Sequence, residues 1–212
     1  GKYLTKKLND NFEIYSSFNK NIILSKNIKT FHLDLSQDNQ NVINSLKKIK
    51  IIPDSLIYLP GGSLNFKKYE YDIDSWKYML NINTIKFIEI MNHYLPFFQK
   101  KKYARVVCFS STAIKDSQAN IPYSCSKALL EEYVKKAGRR FAGDNIFINC
   151  IRTSIISYKN NNWYKAKINN EKFVADVIKK NISVNKIGTP EDLIPYISHL
   201  ISHKNKFSTG TI

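Results

Sequence analysis

Arginine, cysteine, glycine and proline are scarce in this sequence, and their shortage closes off several classes of protein. Only four of the 33 basic residues are arginines (Arg105, Arg139, Arg140 and Arg152), and the lysines are scattered. Nucleic-acid sites favour clustered guanidinium groups that pair bidentately and stack, so the formal charge of +16 does not point to a nucleic-acid partner. A joint excess of Lys, Asn, Ile, Tyr and Phe is explained more simply by an AT-rich coding sequence. The three cysteines, Cys108, Cys125 and Cys150, show no paired or metal-ligand spacing, and no metal is expected. No apolar run approaches the roughly 20 residues that span a bilayer. The start "GKYLTKKLNDNF" lacks the apolar core and small-residue cleavage site of a signal peptide. A cytoplasmic protein with no membrane partner is the expectation.

What is present is enough to fold. Hydrophobic residues make up 43% of the 212, too many for a disordered chain, and no repeat or flexible linker interrupts them. One domain is expected. Short apolar runs alternate with longer amphipathic segments, the pattern of a doubly wound α/β protein with a parallel sheet flanked by helices. Strands are expected at "FEIY" (12–15), "TFHLDL" (30–35), "SLIYL" (55–59), "RVVCFSS" (105–111) and "NIFINCI" (145–151). Helices are expected over "KYLTKKL", 37–49, 74–99 with Pro96 near the end, 122–141, 171–181 and 190–203. In the helix over 122–141, Leu130, Val134, Ala137 and Phe141 recur at spacings of four, three and four and make one apolar stripe.

Parallel sheets bind ligands beyond the carboxyl ends of their strands, so the informative residues follow each apolar run. These are "DL" (34–35), "PGG" (60–62), "SS" (110–111) and the loop after Cys150. Tyr123 and Lys127 lie one helical turn apart on a shared face, and a serine hydroxyl just before that helix can join them. A phenol with its ordinary pKa of about 10 is a poor base at neutral pH, and a neighbouring ammonium favours the phenolate. Such a triplet suits proton transfer to a carbonyl under reduction. The spacing alone carries little weight in a chain so rich in Tyr and Lys.

The order of several motifs carries more. "FHLDLS", "NINTIKF", "RVVCFSSTA", "YSCSK" and "GTPEDL" run in the sequence of the short-chain dehydrogenase/reductase family, which this chain resembles along nearly its whole length. The resemblance implies a Rossmann-like fold and an NAD(P)-dependent oxidoreductase. By it, Tyr123 is the general acid/base and Lys127 lowers its pKa and holds the nicotinamide ribose. Ser111 polarises the carbonyl, with Ser110 as its rival, and Asn83 supports a proton relay. Cofactor contacts fall on Gly1, Ser16, Ser17, Asp34, Leu35, Gly61, Tyr123 and Lys127. With Ser16, Ser17 and Lys20 and no acid after the second family strand, NADP is favoured over NAD. Cys125 is expected to be a buried thiol turned away from the site.

The departures from the family pattern raise expectations of their own. "GKYLTKKL" matches only the end of the family's glycine-rich turn, with Gly1 as its last glycine. A domain incomplete at both ends of this sequence is therefore expected. "YLPGG" replaces the Asn-Asn-Ala-Gly wall, Thr153 and Ser154 replace a Pro-Gly pair, and the connection around "NIILS" is expected to hold about one helical turn. The substrate is expected to be a ketone or secondary alcohol, such as a 3-oxoacyl thioester or a sugar-type carbonyl, beneath a flexible lid at 157–173. The altered segments leave open a relative that binds without catalysis. The helices at 74–99 and 122–141 suggest a homodimer or homotetramer, with Leu129 and Tyr133 facing outward.

Overall fold

A computed structural model describes residues 1–23, 27–63, 72–116, 119–159 and 161–212. In chain order they form α1 (Lys2–Leu8), β1 (Ile14–Phe18), β2 (Ile28–His32), α2 (Asn39–Ile49), β3 (Ser55–Tyr58), α3 (Ile73–Leu80), a π-helical turn (Asn81–Ile85) and α4 (Lys86–Lys101). Then come β4 (Ala104–Ser111), a 3-10 turn (Thr112–Lys115), α5 (Ile121–Phe141), β5 (Ile146–Thr153), α6 (Asn162–Asn169), α7 (Glu171–Asn181) and α8 (Pro190–Ile201).

Every strand pair is parallel, as the alternating pattern requires. β3, β4 and β5 form one sheet in that order, and β1 and β2 form a second. Among the described residues no ladder joins the two sheets, whereas a doubly wound reading suggests a continuous one. A shared apolar layer spans them instead: Leu4 and Leu8 of α1 cluster with Ile197, Leu200 and Ile201 of α8, and both Ile14 of β1 and Ile57 of β3 pack against that cluster. On the opposite face Phe87, Ile90, Met91, Tyr94 and Phe98 of α4 meet Leu130, Val134 and Ala137 of α5 over Val106, Cys108, Ile146, Ile148 and Cys150. The expected stripe is the buried one, with Phe141 half-buried at its end. The last residues run beside β5, where Gly210 N donates to Ile148 O and Thr211 O accepts from Cys150 N.

Local chemistry sets the helix ends. The Asp38 side chain caps α2 by accepting from Asn41 N, and the Asn120 side chain caps α5 by accepting from Tyr123 N. Each satisfies an amide that a helix start leaves without a partner.

Several boundaries differ from the sequence reading. β1 ends at Phe18, so Ser16 and Ser17 lie within the strand, paired with Thr30 and Phe31, and the strand's carboxyl end falls at Phe18, Asn19 and Lys20. The flanking Tyr15 and Phe18 favour a pleated, half-buried surface, which outweighs the turn preference of the two serines. Asp34 lies just beyond β2. The helix expected at 74–99 is interrupted by the π turn. Part of the supposed lid is the helix α6, capped by the Asn161 side chain on Tyr164 N. Of the turn expected around "NIILS", residues 21–23 are non-helical and the rest lies at 24–26, outside the described residues. No helix among the described residues is long and apolar enough to cross a membrane.

Candidate active site

The site is assembled at the carboxyl ends of β3 and β4, where two turns lock the start of α5. Ser124 Oγ in its first turn donates to Ala113 O of the 3-10 turn. Ser126 Oγ bonds the Tyr123 carbonyl within the helix, and Ser126 O accepts from Thr84 Oγ1 of the π turn at 2.6 Å. Tyr123 and Lys127 thus stand on a segment held from both sides.

Lys127 is 4% exposed, with Nζ 2.8 Å from Phe109 O and 5.8 Å from the centre of the Tyr123 ring. Among the described residues Phe109 O is its one hydrogen-bond acceptor, although an ammonium has three protons to donate. Burial lowers its pKa, and the neighbouring Cys108 and Cys150 work in the other direction. The Tyr123 pKa is raised, because burial outweighs the hydrogen bond with Ser111 that favours the phenolate. Lys127 is not among the causes of that shift, so the lowered phenol expected from the sequence is not found in the chain alone. A buried phenol loses hydration when it ionises, and among the described residues the nearby Ser111 hydroxyl alone works against that loss.

The two serines part company. Ser111 stands beside the Tyr123 phenol and accepts from Ala113 N, whereas Ser110 faces the other side of β4, beside Glu131.

Asn83 is fully buried in the π turn and clamps the "PGG" segment. Its Oδ1 accepts from Gly62 N at 3.0 Å, and its Nδ2 donates to Gly62 O and Met79 O. Gly61 has φ +122°, and a Cβ there would lie 2.3 Å from Asn83 Oδ1 and 3.3 Å from Lys127 Nζ. Only glycine fits this closeness and this backbone conformation. Tyr58 at the end of β3 donates to Ile82 O, fixing the π turn to the strand. A π turn widens the helix and releases carbonyls from the usual ladder, which lets Asn83 turn inward to the loop.

The other predicted residues gather elsewhere. Asp34 Oδ1 accepts from Asn19 Nδ2, Ser36 N and Ser36 Oγ, and the Ser36 bonds hold its carboxyl below the usual range. Leu35 packs on the edge of the α4 and α5 core. The Gly1 carbonyl accepts from Thr5 N as α1 begins. Ser17 is exposed and Ser16 half-buried. Cys125 is exposed rather than buried, since position 125 lies on the helix face opposite the stripe. Leu129 faces outward, but the Tyr133 ring packs edge-on against Phe87, 5.8 Å between centroids. Sequence reasoning marked Gly62 only as part of "PGG" and passed over Asn120, Glu131 and Arg152. Glu131 carried a signal, for it stands one turn beyond Lys127 on the same face.

A family model described as enoyl-(acyl carrier protein) reductase matches residues 24–212. The chain belongs to the short-chain dehydrogenase/reductase family. Within this family, it is 23% identical over 181 residues to dehydrogenase/reductase SDR family member 4 of Rattus norvegicus, covering 84% of this chain and 63% of the rat protein. The chain thus spans less than two thirds of that curated relative. Among solved structures, ElxO with NADP bound superposes with a TM-score of 0.76 at 27% identity, covering 88% of this chain and 75% of that one. A 3-oxoacyl (acyl-carrier-protein) reductase of Agrobacterium tumefaciens C58 with NADP bound reaches 0.77 at 19% identity, covering 87% and 71%, a likeness of fold. Short-chain dehydrogenase/reductase architecture accounts for the parallel strands and for the placement of α4 and α5 over β4 and β5.

Proposed function

We propose that the protein is an NADP(H)- or NAD(H)-dependent oxidoreductase acting on a ketone or secondary alcohol, with Tyr123, Lys127 and Ser111 as its catalytic residues and Asn83 in support. The observation that carries this reading is the buried Lys127 beside Tyr123 and Ser111, with an ammonium that donates to Phe109 O alone among the described residues and lies against Gly61. A dinucleotide fits such a place. Gly61 leaves a wall without a Cβ, Lys127 has spare donors for ribose hydroxyls, and Asp34 stands ready beyond β2 for the adenine side. When bound, the cofactor supplies or accepts the hydride.

The chain's own residues supply the rest. Ser111 donates to the carbonyl oxygen and orients it. Tyr123 Oη gives that oxygen its proton in reduction and takes it back in oxidation. Bringing the Lys127 charge to bear on Tyr123 offsets the burial that holds its pKa up, which suits a group that must ionise only as the proton moves. Asn83 keeps the Gly61–Gly62 turn and the π turn in register, so Lys127 is presented at a fixed height. ElxO and the Agrobacterium protein support NADP, each by the cofactor in its structure. The 3-oxoacyl (acyl-carrier-protein) reductase neighbour supports an acyl thioester and a neighbour described as a gluconate dehydrogenase a sugar-type carbonyl, so both belong in a test panel of carbonyls.

Absorbance at 340 nm with NADPH or NADH against a carbonyl panel tests the reading. Turnover by the parent and a loss of roughly a hundredfold or more in Tyr123→Phe, with cofactor binding retained, supports it. Cofactor binding without turnover on any carbonyl assigns the chain to a binding or regulatory role instead.

A further inference from the structure

One ion pair close to the site, with a buried carboxylate and a part-exposed guanidinium, has no part in the chemistry above. Glu131 is 4% exposed on α5, and Arg152 lies at the end of β5. Arg152 Nε donates to Glu131 Oε1 at 2.8 Å and Nη2 to Oε2 at 2.5 Å, the two-pronged pairing of a guanidinium fork with a carboxylate. Burial pushes the Glu131 carboxyl up, but the Arg152 guanidinium, with the nearby Ser110 hydroxyl, overcomes it and holds the group below its usual range. Ser110 is itself buried beside that carboxylate, without a well-formed hydrogen bond of its own.

Its position sets the pair apart from an ordinary structural salt bridge. Tyr123, Lys127 and Glu131 follow one another at four-residue steps down one face of α5. Across the β4–β5 ladder Arg152 is the register partner of Ser110, and Thr153 that of Ser111. Thr153 Oγ1 also donates to Ser110 O. The fork therefore joins the helix that carries the phenol and the ammonium to the strand end beside the serine. An apolar contact there would let the helix slide or turn slightly, but two parallel bonds to a planar group fix both motions. A pair of one buried and one part-exposed charge gives little net stability over a well-packed apolar contact, so stability alone is a poor explanation for it.

We infer that Glu131 and Arg152 are positioning residues that set the register of Tyr123 and Lys127 against Ser111. This rests on the oxidoreductase reading, since it assigns the pair a task in that site. Misplacement by about 1 Å costs on the order of a hundredfold in rate.

The test compares Glu131→Gln, Arg152→Gln, the double substitution and, as control, Glu132→Gln, an exposed neighbour paired with Lys135 and Lys136. Two readouts are taken: kcat and KM, and the Tyr123 phenol titration followed by NMR of 13Cζ-labelled tyrosine, assigned through Tyr123→Phe. Each single substitution is expected to lower kcat by about 10- to 100-fold with KM within about twofold, and to displace the Tyr123 titration. The double substitution, which leaves no unpaired charge but no fork either, should stay as impaired as the single variants, recovery to parent kcat would overturn the inference, and Glu132→Gln should match the parent. Should Arg152→Gln fail to fold, Arg152→Lys keeps the charge but breaks the fork and takes its place. Single variants that melt lower while kcat and the Tyr123 titration stay at parent values overturn the inference. A parent without turnover defeats the oxidoreductase reading instead, and the Tyr123 titration then still decides the positioning role.

Discussion

Along β4 every side chain from Ala104 to Ser110 except Phe109 is buried, and along β5 every one from Ile146 to Ile151, whereas β1 alternates half-buried and exposed residues along its length. The first pair lies under α5 and carries Ser111, with α4 and α5 closing its face. The second stands with β2 alone, braced at Ile14 by the layer that α1 and α8 supply. The contrast follows from what each sheet has to hold. Groups that must meet at hydrogen-bond distance need a rigid support, and rigidity comes from packing on both faces. On the proposed dinucleotide reading, β1 and β2 would receive only one end of a long ligand, a task that tolerates partial burial.

The largest separation between the two regions should come from core truncation. Ile148→Ala on β5, where the side chain is fully buried, should cost about 2–5 kcal/mol in denaturant unfolding. Tyr15→Ala on β1, 38% exposed, should cost under about 1 kcal/mol. Comparable losses would erase the distinction.

A finer contrast lies within one turn. Gly61→Ala introduces both a contact with Asn83 and an unfavourable backbone and should cost about 1–3 kcal/mol along with most turnover. Gly62→Ala, with φ +149° but nothing within 4 Å, carries the backbone strain alone and should keep its Lys127 environment. Equal kinetic damage from both would mean that closeness to Asn83 is irrelevant.

Hydrogen exchange reads the same comparison without substitution. The amides of β4 and β5 should exchange near the global unfolding limit, and those of β1 and β2 faster, through local opening. Uniform protection would join the two sheets into one cooperative unit.

The smallest effect is on pH dependence. Burial raises the pKa of Tyr123, and that of Tyr133 to about 12, with Tyr133 packed on Phe87. A raised folded pKa means the native state keeps protons that the unfolded state gives up. The stabilisation from these phenols is therefore present below about pH 10 and lost as pH climbs through the raised values. Lys127, lowered by burial, acts in the opposite sense and blunts the trend. Difference absorbance of tyrosinate against pH, with Tyr133→Phe as reference, should show late ionisation of these rings, and ionisation at the ordinary value would contradict their burial.

Much of this was legible in the residues. The stripe of Leu130, Val134 and Ala137 marks the buried face of α5 because the helical period is fixed by backbone geometry. The apolar runs at β4 and β5 mark central strands for the same local reason. Ser16 and Ser17 misled because a serine pair signals a turn only where no neighbouring strand offers pairing, and β2 does. Asn83 was named through family resemblance, but its clamp on Gly62 arises from a π turn that no short-range pattern announces. Cys125 read as buried because cysteines usually are, yet its face of α5 has no partner among the described residues.

By itself the sequence determined the alternating α/β order, the amphipathic face of α5 and the spacing that puts Tyr123, Lys127 and Glu131 in line, since each depends on the backbone repeat. Only the tertiary structure decided which serine meets Tyr123, where Asn83 points and that Arg152 reaches Glu131. Those pairings join segments far apart in the chain, and they are set by strand register and helix packing rather than by any local preference.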